Sequence, residues 1–183
     1  MKTYTYINSI DFISNFTFDY VETYSFQRGF KFEENKKQII IEYDKLKVRK
    51  EKRNNLSLDE ETRFSELDKL LGVTQYLIND KGQFHHSSNK INTFDKNDKN
   101  TERIKNILQT EIIEIPRWMC APKYRDALVF YNSDNKIIKL LNVCLSCQYM
   151  ETSMFNHING DYKTYDLLKR FFIDIGHKVE DSE

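Results

Sequence analysis

The chain has 183 residues, with 28 basic and 28 acidic side chains that cancel to a formal net charge of zero. A balanced chain lacks the broad positive field that gathers nucleic acid or an anionic membrane, so any partner must be recognised locally. The length suits one domain with a working core, and 13 Phe and 11 Tyr beside only 5 Gly and 2 Pro predict a core built of rings.

Met1 to Phe16 shows neither a basic start nor an unbroken apolar run, which predicts no leader, no membrane span and a cytoplasmic protein. From Val21 to Val48 the period-two spacing of Tyr24, Phe26, Phe30 and Phe32, then of Ile39, Ile41 and Tyr43, predicts a hairpin turning at Glu33 to Lys37. The basic stretch Lys45 to Arg53 then reads as a solvated strand end or loop. Ser57 and Glu60 stand at capping-box spacing, and Phe64, Leu67, Leu70 and Leu71 share one face. A helix over 58–71 follows, with Gly72 as its left-handed stop.

Residues 79–100, rich in Asn, Lys, Asp and Ser, read as a mobile loop. Thr101 is placed to cap a short helix carrying Ile104, Ile107 and Leu108, and Glu111 to Ile115 reads as a strand ending at Pro116. The β-rich runs Asp126 to Tyr131 and Lys136 to Cys144 flank Asn132-Ser133-Asp134-Asn135, a hairpin signal with apolar residues on both faces. Asp161 opens a last helix whose stripe of Tyr165, Leu168, Phe172 and Ile175 should pack across that hairpin before Gly176. The expected architecture is a single α+β domain over 1–183: an antiparallel sheet with a central C-terminal hairpin, packed by amphipathic helices.

Three cysteines, an odd number, fit a reducing compartment better than a disulfide framework. Cys144 and Cys147 form a C-x-x-C, a spacing shared by zinc sites and redox centres. On a regular strand the two thiols would point to opposite faces, so they converge only if the strand turns near Ser146. Pairing Tyr131 with Lys136 and extending the ladder brings Cys120 opposite Cys147. Cys120, Cys144 and Cys147 with His177 or His157 would then make a three-cysteine, one-histidine zinc site. Redox chemistry and plain buried thiols are the other readings, and the last is favoured.

The pattern Cys120-x-Pro122-x-x-Arg125, Phe130-Tyr131, Asn142-x-Cys144-x-x-Cys147, Phe171-Phe172 and Gly176-His177 resembles a family of small bacterial proteins found mainly among Bacteroidetes. The resemblance covers about a third of the chain and brings no established activity. It implies a domain boundary and not a function. The abundance of Lys, Asn, Ile, Phe and Tyr also tracks AT-rich codons, in keeping with a bacterial or phage origin.

No P-loop, dinucleotide fingerprint, nucleophile elbow or H-E-x-x-H is present. A Cys–His pair using Cys147 or Cys120 with His177 is conceivable, but a histidine after a helix-ending glycine more often meets the last carbonyls. His85 and His86 lie in the polar stretch, facing opposite ways if extended. Asp126 with Asp134-Asn135-Lys136 copies the acid, acid-x-lysine spacing of metal-dependent nucleases, but Asp134 falls at a turn. Arg117 and Trp118 form a possible partner-binding anchor, against a Trp that closes the core edge.

The leading expectation is a non-enzymatic module that binds another protein, of the immunity or phage-inhibitor kind, without cofactor. The alternative is a zinc-stabilised or thiol-dependent domain. Nucleic-acid binding through Lys45 to Arg53 ranks last.

Overall fold

The computed structural model describes residues 3–52, 56–117, 119–153 and 156–179. In chain order they form β1 (Thr5–Asn8), α1 (Ser9–Ser14), β2 (Tyr20–Ser25), α2 (Phe30–Glu51), α3 (Leu58–Gly72) and β3 (Asn89–Asp95). There follow α4 (Lys99–Leu108), β4 (Asp126–Tyr131), β5 (Ile137–Cys144), β6 (Tyr149–Ser153), β7 (Asn156–Asn159) and α5 (Tyr162–Asp174). The class is α+β, with one seven-stranded sheet in the order β1-β7-β6-β5-β4-β2-β3. Every pairing is antiparallel except β1 with β7. The chain divides into two compact units, Gln27–Thr74 and the remainder, which holds the whole sheet. No helix among the described residues is long and apolar enough to cross a membrane.

The helical unit corrects the first expected hairpin. β2 forms, but residues 30–51 are one helix of 22 residues. Glu, Lys, Gln and Arg dominate this run and no Gly or Pro interrupts it, so helix propensity overrides the period-two spacing of Ile39, Ile41 and Tyr43. Gly29 precedes it at φ 94°, a conformation glycine adopts without strain. The basic stretch from Lys45 therefore runs along the end of a helix, where its cations complement the C-terminal dipole. α3 opens on the expected capping box: Ser57 Oγ accepts the Glu60 N–H at 3.3 Å, and Glu60 accepts the Ser57 N–H at 2.9 Å. Gly72 belongs to α3 without a left-handed turn, and Val73 closes the helix. Between the two helices Tyr43 stacks on Phe64 at 5.1 Å, Arg63 grips Glu42 through two 2.8 Å bonds, and Arg49 pairs with Glu60.

In the sheet unit the β4–β5 hairpin forms where expected. The Asn132 side chain accepts the N–H groups of Asp134 (3.1 Å) and Lys136 (2.8 Å), and Asn135 takes φ 60°, so Asp134 is turn chemistry. An irregularity at Phe130–Tyr131 sets Tyr131 opposite Ile137 rather than Lys136, and Asp126 opposite Val143. The hairpin is central and covered on both sides. Leu128, Phe130, Leu141 and Val143 join α4 and α5 in one core cluster, while Ala127, Val129, Tyr131 and Cys144 join Phe26, Leu77 and Tyr124 in another.

α5 starts at Asp161, which accepts the Lys163 N–H at 2.9 Å, and ends before Gly176 at φ 93°. Three local expectations give way. Asp98, not Thr101, caps α4; Thr101 is buried in it and donates to the Asp95 carbonyl at 2.7 Å. Residues 111–115 form no strand, because the Asp161 carboxylate takes the N–H groups of Ile113 and Glu114, each at 2.9 Å. The stretch 79–100 is not a loop throughout: β3 fills 89–95 as the far edge strand, polar because one side and one edge face solvent.

Candidate functional site

Hydrogen-bonded registers align one row of residues across all seven strands: Tyr6, His157, Glu151, Asn142, Ala127, Tyr24 and Lys90. The row lies on the sheet face opposite α4 and α5, so strand alternation puts unusually polar side chains over an aromatic cluster. Asn142, fully buried, accepts the Leu77 N–H at 2.9 Å and donates to the Glu151 carbonyl at 3.1 Å, tying β5 to β6 and to the covering segment. Both buried amide functions are thus used.

Glu151, only 4% exposed, is the centre of the row. Its carboxylate accepts the Tyr76 hydroxyl at 2.5 Å and meets His157 Nδ1 at 3.0 Å. Burial, then the bond to Glu151, pushes the Tyr76 phenol well above its ordinary range, and burial followed by the same carboxylate does so for Tyr124. Both phenols stay protonated and able to donate. The other ring nitrogen of His157, Nε2, makes no hydrogen bond among the described residues. Tyr4 and Tyr6, exposed on one side of the chain, stack over the same imidazole at 5.3 and 5.1 Å. At the other end of this face Glu22 accepts Lys90 at 2.8 Å and the Tyr24 hydroxyl at 2.7 Å; burial alone would raise its carboxyl, but these donors hold it low.

Cys120 and Cys147 are joined as a disulfide, Cα to Cα 6.3 Å, and Cys144 is a buried free thiol. The bond corrects the reading of Cys120 and Cys147 as free thiols, while Cys144 is a buried thiol as read. Cys120 and Cys147 do meet, but not through an extended ladder, since β4 starts only at Asp126 and residues 121–125 are irregular. The histidines named for a zinc site stand elsewhere: His157 with Glu151, and His177 on the opposite face. There His177 Nδ1 lies 2.7 Å from Asp126 Oδ1 and Nε2 3.0 Å from Thr23 Oγ1, under Phe172 at 4.7 Å. Neither joins the cysteines, and no group of three His, Cys, Asp or Glu side chains placed to hold a metal occurs among the described residues. The Thr23, His177 and Asp126 set has the order of a hydrolytic triad, but all three are at most 4% exposed and serve to pin the end of α5 to β2 and β4.

His85 and His86, expected to face apart, lie ring against tilted ring at 4.3 Å on an irregular segment. The Ser87 N–H donates to His85 Nδ1 at 3.2 Å, so Nε2 carries the proton toward Gln75 Oε1 at 2.5 Å. Burial, with His86 beside it, pushes the His85 pKa down to about 4. Arg117 is exposed and lines a shallow cavity of about 770 Å³ with Asn8, Ile113, Glu114 and Tyr162, beside the end of β1. Trp118, its proposed companion, lies outside the described residues.

Sequence reasoning passed over Glu151, Tyr76, Tyr4 and Tyr6. The period-two Tyr4-x-Tyr6 was the available signal; Glu151 gave none, because its partners lie 75 residues upstream and on the next strand. No family model, curated protein or solved structure matches the chain.

Proposed function

We propose that the chain is a non-enzymatic protein-binding module whose contact surface is the β1 edge, with an extended segment of the partner protein lying along it as an added strand. The observation that carries this reading is β1 itself. All four of its residues are exposed, among the described strands it pairs with β7 alone, and Thr5-Tyr6-Ile7-Asn8 carries no charge and no proline to blunt a sheet edge. The opposite edge, β3, has Lys90 and a register shift against β2, both of which discourage strand addition. Four residues offer few backbone bonds, so side chains must supply most of the affinity. Tyr4 at 53% and Tyr6 at 64% exposure, backed by His157, form a rigid aromatic platform suited to that task. Arg117 and the fully displayed Ile113 extend the surface past Asn8. An immunity protein or an inhibitor that occupies its target would use such a surface.

The test is affinity measured for a purified captured partner against wild type, Tyr4→Ala and Tyr6→Ala, with deuterium exchange on the complex. Loss of either ring should weaken binding about tenfold or more, and the β1 amides should become protected. Unchanged affinity in both variants with β1 exchanging at its free rate would overturn the reading, as would turnover of a small substrate by the chain alone.

A further inference from the structure

The Cys120–Cys147 disulfide and the free thiol of Cys144 share the end of the sheet where β5 turns into β6, with Cys144 and Cys147 in one apolar cluster. Cys120 is exposed on an irregular stretch, next to Met119, whose side chain stands wholly in solvent. Cys147 sits almost buried in the turn 145–148 between β5 and β6. Cys144, the last residue of β5, is 1% exposed and packs in the same apolar cluster as Cys147. Its Sγ lies 3.5 Å from the Ser146 hydroxyl, which reaches solvent. Residues three apart through a turn stand within about 7 Å, Cα to Cα, close to the span a disulfide bridges. A Cys144–Cys147 bond would span such a turn inside the cluster the two residues share.

We propose that the bond migrates: Cys144 attacks Cys147 Sγ, a Cys144–Cys147 disulfide forms, and Cys120 is released as an exposed thiol, a site for covalent exchange with low-molecular-mass disulfides. The step balances without an oxidant. The Cys144 proton passes to solvent by way of Ser146, the thiolate forms the new S–S bond, and the electron pair of the old bond leaves on Cys120 Sγ, which is then protonated or reacts. Burial of Cys144 shields it from solution thiols while leaving its intramolecular neighbour accessible, so migration is slow but selective. This inference is independent of the protein-binding reading.

The experiment is labelling of the whole protein, purified without reductant, with N-ethylmaleimide under native conditions, followed by non-reducing peptide mapping. The expected result is one label, on Cys120, with Cys144 bonded to Cys147, and at least tenfold less label in Cys144→Ala. A label on Cys144 with Cys120–Cys147 intact, no label in the wild type, or three labels would each overturn the proposal. The wild-type map decides the matter even if the variant fails to fold.

Discussion

Two carboxylate–imidazole pairs sit on opposite faces of the same sheet, and their surroundings give them opposite characters. In Asp126–His177 both ring nitrogens are engaged, by Asp126 and by Thr23, and a phenylalanine closes the pocket. In Glu151–His157 one nitrogen meets the carboxylate, the other makes no bond among the described residues, and the ring is roofed by two tyrosines of an edge strand. The same two functional groups therefore serve as a core fastener in one place and as the floor of a surface in the other. Geometry around the pair, not its composition, sets the role.

The sharpest way to break this contrast is His177→Ala. It leaves the buried Asp126 and Thr23 facing a void, and unfolding in urea should show a loss of about 3–5 kcal/mol. Glu151→Gln keeps the shape but puts an amide in place of the carboxylate that the Tyr76 hydroxyl and His157 share, which predicts a loss of about 1–2 kcal/mol in the same assay. Equal losses in the two variants would erase the distinction between fastener and floor.

His85 sharpens the comparison as an imidazole held by Gln75 and Ser87, with His86 beside it. Its folded pKa of about 4 lies below the ordinary histidine value, so between those two values the unfolded chain binds more protons. Its contribution is complete at neutral pH and is lost as pH falls from about 6.5 towards 4. Since the ring is only half buried, the effect is discounted to about 1 kcal/mol. Urea midpoints at pH 7 and pH 4.5 should show the drop, and His85→Asn should flatten it.

The parts legible in the sequence were those whose signals are local. The β4–β5 hairpin announced itself through Asn132 to Asn135, α3 through Ser57 and Glu60, and α5 through Asp161 and Gly176. α2 is not legible because Ile39, Ile41 and Tyr43 fall at strand spacing on a helix that, among the described residues, buries Leu46 alone, so no apolar stripe marks the helical period. β3 was missed because an edge strand can be polar. The Glu151 centre was invisible because each partner arrives through strand pairing or from a distant segment, and register is not written in any short window.

The parallel pairing of β1 with β7 carries a consequence for how the chain is made. Thr5 lies beside Asn156, 151 positions later, while β2, next in sequence to β1, is five strand spacings away. That is about 24 Å, which α1 and the five residues after it can just cross, since six helical residues cover about 9 Å and five extended ones about 17 Å. During synthesis the first strand thus has no seat until nearly the whole sheet has emerged from the ribosome, and closing so long a loop makes its docking a late event in folding. A nascent or truncated chain lacking β7 would carry the tyrosines yet have no sheet edge on which to display them.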